Sequence, residues 1–300
     1  MITPVPKVGP NAINPLSKLP AELLLIIRFY LPSPEGRYFS AISCLTRINT
    51  RLRQIVIGTA DLWTPFGISG AEHFFNHARL CIQRSGTLPL TIQLDIHTSR
   101  QNSDLGDRFC DVLHPIVSRI RVLNAYITTY AGLNIVRSVL GSLEMSTLEE
   151  MDLDYDGVFH GGPNWAITTP GGGTTLKTFT LTGLYPIDSN LSNLRSLTLG
   201  SGASWEWSIA LIHTLVVGSH SLETLVFIGG GSTFDVEDDV MESSLPCPPL
   251  LSLGMEDGIS ARFATMVLLA LDAPNLESVQ VTTPTDTYET SLGGFTGNKS

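Results

Sequence analysis

Side chains able to ligate a metal recur at every fourth position from His73 through His77 to Cys81. On a helix that spacing puts all three along one face. A structural zinc ion takes four such ligands, and His97 or His114, distant in sequence, would complete a set only if the fold brought one of them in. The competing reading is a capping helix that buries Phe74 and Phe75. Acid–base chemistry would fall to Asp152 and Asp154, but acids at alternate strand positions more often form a solvated or partner-facing patch. Gly67-Ile68-Ser69-Gly70-Ala71 lacks the last glycine of a nucleophile elbow and its strand-to-helix setting. Gly171-Gly172-Gly173-Thr174-Thr175 has no Gly-Lys-Ser/Thr to hold a phosphate, and Gly297-Asn298-Lys299-Ser300 breaks the same pattern. The expectation is a binding protein with no catalytic residue, metal or cofactor.

Bulk properties narrow the class. Four cysteines with no CxxC suit unpaired thiols in a reducing compartment. The N-terminus has no apolar run with a cleavage site. The longest apolar stretch, Leu23 to Ile27, ends at Arg28, far short of the roughly 20 residues a membrane span needs. An intracellular protein, cytoplasmic or nuclear, is expected. The formal net charge of −10 is uneven: residues 201–300 hold two Lys/Arg against thirteen Asp/Glu. That acidic third argues against nucleic-acid binding, which needs clustered cations, and favours basic or neutral protein partners.

The elements that position these side chains announce themselves as a repeat. Six segments share the frame L-x-x-Φ-x-Φ, where Φ is apolar, starting at Leu148, Leu176, Leu194, Leu222, Leu250 and Leu276. A degenerate seventh starts at Ile120. The starts step by 28, 28, 18, 28, 28 and 26 residues, and 28 lies within the range of leucine-rich repeats. The fourth and sixth positions alternate as a strand does and share one face. A single strand cannot bury that face, whereas parallel stacking of neighbours can. Outer helices are expected at 111–116, 133–140, 208–217 and 261–271, where apolar residues recur at three-to-four spacing. Glycine-rich stretches and the 18-residue step make the solenoid irregular.

Parity then names the residues left on the concave face: Asn124, Tyr126, Asp152, Asp154, Thr180, Thr198, Val226, Ile228, Glu256 and Gln280, with Glu150 and Thr178 beside them. The apolar pair Val226 and Ile228 either marks a contact patch or lies beneath a loop such as Glu237-Asp238-Asp239.

Residues 15–63 differ in texture. The stretch from Pro15 to Leu24 offers a proline at a helix start and an acid, Glu22, in the first turn, and Pro32-Ser33-Pro34 stops the helix. Two more short helices fit around 38–45 and 49–57. Three helices in so few residues bury their apolar surface poorly, which implies a partner. Pro15-Leu16-x-x-Leu19-Pro20-x-Glu22-Leu23-Leu24-x-x-Ile27 resembles the opening of an F-box. The stretch from Asn49 and Arg51 through Ile55-Val56 to Asp61-Leu62-Trp63 resembles its close. Arg84-Ser85-Gly86-Thr87-Leu88-Pro89-Leu90 is similar to a segment common in F-box proteins of mushroom-forming fungi.

The resemblance implies an α/β chain: a short three-helix F-box, then an irregular leucine-rich-repeat solenoid with a parallel sheet of about seven strands. Its parts are a disordered tail at 1–14, the F-box at 15–63, a linker helix and capping region at 64–118, repeats at 119–283 and a flexible tail at 284–300. It further implies that Leu16, Leu19, Pro20, Glu22, Leu23, Leu24 and Ile27 bind the adaptor subunit of an SCF-type cullin–RING ubiquitin ligase, while the repeats hold a protein substrate of unknown identity. Nucleic acid and membrane are not expected partners. Arg28 stands where the family often carries Phe, Leu52 replaces a Trp and Asn49 a Cys. Arg28 keeps a second reading open, a repeat scaffold whose diverged F-box recruits no ligase.

Overall fold

The structure, a computed structural model, describes residues 47, 50–97, 103–157, 166–167, 175–186, 191–200, 212, 215–216, 218–229, 245–247, 249–256, 259 and 261–282. Its organising feature is one parallel sheet of nine strands. They are β1 (Pro65–Ser69), β2 (Leu90–Ile96), β3 (Ile120–Ile127), β4 (Glu150–Tyr155), β6 (Thr178–Thr182), β8 (Ser196–Gly200), β9 (Thr224–Ile228), β11 (Ser252–Glu256) and β13 (Ser278–Val281). Short strands pair apart from it: β5 (Ala166–Ile167) with β7 (Tyr185–Pro186), and β10 (Leu245–Pro246) with β12 (Leu271–Asp272). The nine strands lie side by side in chain order, and every pairing is parallel.

Register explains the repeat frame. The fourth frame position runs across the sheet as Phe66, Ile92, Leu123, Met151, Phe179, Leu197, Leu225, Leu253 and Val279. The sixth runs beside it as Ile68, Leu94, Ala125, Leu153, Leu181, Leu199, Phe227, Met255 and Val281. From β1 to β11 both rows are buried in one continuous core. Val279 and Val281 of β13, the last strand among the described residues, are 46% and 47% exposed. Side chains at the frame entrance staple successive turns. The Thr147 hydroxyl donates to the Ser118 and Ile120 carbonyls at 3.0 Å. Thr175 repeats the device one turn later, donating to Ser146 and Leu148 at 2.9 and 2.8 Å.

The count of about seven strands is corrected to nine. Both additions, β1 and β2, fall in the span assigned to a linker helix and cap. In β2, Leu90 aligns with Ile120 but Thr91 with Val122, so one residue is skipped. The frame contracts there to L-x-Φ-x-Φ and escapes the search, although Leu90, Ile92, Leu94 and Ile96 alternate perfectly.

Five α-helices occur among the described residues: α1 (Thr50–Gly58), α2 (Glu72–Arg84), α3 (Ser103–Leu113), α4 (Tyr130–Ser142) and α5 (Ala261–Ala270). The Thr129 side chain caps α4 by accepting from the Gly132 N–H at 3.1 Å. The helix expected at 111–116 is corrected to the end of α3 followed by a 3-10 turn, His114–Arg119. Pro115 lacks the N–H that would continue an α-helix. Most of the helix expected at 208–217 lies outside the described residues. No helix among the described residues is long and apolar enough to cross a membrane.

Candidate functional site

Side chains between the two core rows emerge on the opposite face, and pairing registers place them in two further rows. One reads Gly67, Gln93, Asn124, Asp152, Thr180, Thr198, Val226, Gly254, Gln280; the other reads Ser69, Asp95, Tyr126, Asp154, Thr182, Gly200, Ile228, Glu256. All ten residues expected on this face therefore lie on it, in adjacent strands. Gln93 and Asp95 of β2 belong to the same rows and were missed. Their signal was available in the sequence, since they alternate with Ile92, Leu94 and Ile96.

The face changes character along its length. Across β2 to β4 it is acidic: Asp95, Glu150, Asp152 and Asp154 cluster, with Asp156 just beyond. His97 Nε2 contacts Asp95 Oδ1, and the Tyr126 hydroxyl donates to Asp156 at 3.0 Å. Asn124 Oδ1 is sealed from solvent and accepts no hydrogen bond. The middle is a hydroxyl surface of Thr178, Thr180, Thr182, Ser196 and Thr198. Beyond it Val226 and Ile228 stand half-buried on β9. The loop expected as their alternative cover, 237–239, lies outside the described residues.

Crowding of the acids has an electrostatic consequence. Burial, then the charges of Asp154 and Glu150, push Asp152 up from 3.8 to about 6. Burial and Asp156 move Asp154 in the same direction. The native state holds a proton that the unfolded chain releases, so stability falls as pH rises from about 4 to about 6. Asp152→Asn is expected to stabilise the protein at pH 7 by about 1–2 kcal/mol, after discounting for solvent screening. That gain should vanish below about pH 4, where the wild-type carboxyl is itself neutral. Urea denaturation at the two pH values measures it. A gain independent of pH would mean that the charge is not its origin.

The candidate metal ligands do not converge. His73 is exposed and tilted against Phe74, while His77 and Cys81 are buried with the Cys81 Sγ 3.6 Å from the His77 ring nitrogens. Burial lowers His77 to about 4 and raises the Cys81 thiol to about 12. Both are neutral near pH 7, so the pair packs rather than reacts. Among the described residues no three His, Cys, Asp or Glu side chains are grouped to hold a metal. Phe75 is fully buried and Phe74 half-buried, and α2 packs against β1.

Leu16, Leu19, Pro20, Glu22, Leu23, Leu24, Ile27 and Arg28 lie outside the described residues. The close of that module is described. Leu52 and Val56 of α1 are buried, and the Trp63 indole N–H donates to the Val56 carbonyl at 2.7 Å. The guanidinium of Arg84 lies 4.6 Å above the Trp63 ring. Arg84-Ser85-Gly86 thus acquires a structural meaning. Ser85 is buried and accepts from Arg119 at 2.7 Å, and Gly86 turns the chain toward β2 with φ +60°. No family model matches the chain, and no curated protein matches it in sequence.

Proposed function

We propose that the chain is the substrate-recognition subunit of an SCF-type cullin–RING ubiquitin ligase, in which an F-box at 15–63 binds the adaptor and a leucine-rich-repeat solenoid binds a protein target. The observation that carries the reading is the pair of outward-facing rows that run in register across strands following one another in chain order. A solenoid uses such a face for binding, because each repeat adds one strand and one set of outward side chains. Trp63 ties α1 to the end of α2 through Val56 and Arg84, which suits a module that must hold its two partners at a fixed separation. The chemistry asked of the chain is proximity alone: two binding events raise the effective concentration of target lysines beside the conjugating enzyme.

The test is binding of the purified full chain to the SCF adaptor. Wild type is expected to bind with submicromolar affinity. A Leu19→Ala, Pro20→Ala double variant should lose at least about tenfold, the loss typical when central apolar anchors are truncated. Arg28 favours the second reading, since an unpaired charge buried at an interface is costly. Absence of binding by folded wild type would leave an interaction scaffold without a ligase role.

A further inference from the structure

A second surface lies where the strands enter the sheet, one residue after the frame leucine. Backbone bonds stack this position from strand to strand: Glu149 N–H to Arg121 carbonyl, Lys177 to Glu149, Arg195 to Lys177 and Glu223 to Arg195, all at 2.8–2.9 Å. The stacked charges therefore read plus, minus, plus, plus, minus. Glu149 is shared by Lys177 at 2.7 Å and Arg121 at 3.6 Å, and Arg195 lies 3.7 Å from Glu223. Between Lys177 and Arg195 the alternation fails, and two cations become neighbours. Residues 101–300 hold only eight Lys/Arg against 23 Asp/Glu, so two adjacent cations run against the local composition. They line a cavity of about 570 Å³ together with their partners Glu149 and Glu223 and with His220, Ser221, Asn193 and Thr175.

We propose that this cavity binds a phosphate monoester group, seated between Lys177 and Arg195. Each cation already has a carboxylate partner, Glu149 at 2.7 Å and Glu223 at 3.7 Å. Exposed ion pairs of this kind are worth little, so a group of higher charge competes with both carboxylates for the two cations. A phosphate monoester carries about −1.5 to −2 near neutral pH and three acceptor oxygens, which matches two cations better than a carboxylate does. The Arg195 guanidinium supplies a planar fork and Lys177 a point charge. The His220 imidazole and Ser221 hydroxyl stand at the same cavity as further donors. Thr175 is already committed, donating to the Ser146 and Leu148 carbonyls. The site is separate from the sheet face and stands whether or not the chain serves a ligase.

Calorimetric titration of the full chain at low ionic strength tests it, with inorganic phosphate, a phosphoserine tripeptide and its unphosphorylated counterpart as probes. Saturable binding of a phosphorylated probe in the millimolar range or tighter is expected. It should weaken at least about tenfold in Lys177→Ala and in Arg195→Ala. Glu149→Gln should tighten binding, since it removes a repelling charge and frees Lys177. Arg79→Ala, on the exposed face of α2, should leave it unchanged. Lys177 and Arg195 are 55% and 64% exposed, so these truncations leave the core intact, and Lys177→Gln repeats the test with the stem retained. Equal affinity for phosphate and phosphopeptide upholds a site for a small phosphate ester, and tighter phosphopeptide binding upholds one for a phosphorylated protein segment. No binding of either, equal binding of the unphosphorylated peptide, or unchanged affinity in Arg195→Ala overturns the proposal.

Discussion

Phe179→Ala is expected to destabilise the protein by about 4 kcal/mol, whereas Thr180→Ala, one residue along, should change stability by no more than about 0.5 kcal/mol. Phe179 sits in β6 with Met151 and Leu197 as its row neighbours, and none of the three is exposed. Truncation removes an aromatic ring from the middle of the core, and flanking strands tied by backbone bonds cannot collapse into the space. Thr180 points to the other face and is half-exposed. Urea denaturation of both variants measures the contrast. Equal losses would refute the assignment of the two faces, and with it the placement of every residue in the candidate site.

Gly183→Ala is expected to cost about 3 kcal/mol, through two separable causes. Gly183 follows directly on β6 and has φ +68°, where an L-residue pays about 1–2 kcal/mol. Its N–H donates to the Gly200 carbonyl at 3.0 Å, which holds the turn against the next strand. A Cβ here would also stand 2.5 Å from the Tyr155 carbonyl oxygen, and backbone cannot move aside as a flexible side chain does. Gly86 isolates the first cause: its φ is +60°, and a Cβ there meets nothing within 4 Å. Gly86→Ala should therefore cost only about 1 kcal/mol. Thermal unfolding of the pair gives the clash as the difference, and indistinguishable losses would show that the Tyr155 contact is not what requires glycine.

The strands of the nine-stranded sheet from β3 onward were legible because each keeps the L-x-x-Φ-x-Φ spacing that a buried row imposes. β2 was not, although its alternation is the cleanest in the chain. Its spacing is one residue shorter, and the sheet absorbs the difference as a register shift beside Leu90. The same omission hid Gln93 and Asp95, so the acidic end of the face was drawn without its first strand. The helix at 130–142 was legible from Leu133, Val136 and Leu140, while the 3-10 turn at His114 was not, because a backbone choice around Pro115 leaves the apolar spacing almost unchanged.

Taken alone, the sequence determined which side of each repeat strand is apolar. A pleated strand alternates with a period of two, and no tertiary context alters that parity. From it followed the face that carries Asn124, Asp152, Thr180 and Val226. The tertiary structure decided which of those residues become neighbours, since adjacency depends on strand order and register rather than on composition. Only stacking brings Lys177 beside Arg195, and only tertiary packing supplies the burial that, with the charges of Asp154 and Glu150 on its own strand, raises Asp152 to about 6 and that lowers His77 to about 4. Coulomb energy and desolvation depend on distances through space, and residues 18 or 28 apart in the chain acquire those distances only when the strands pair.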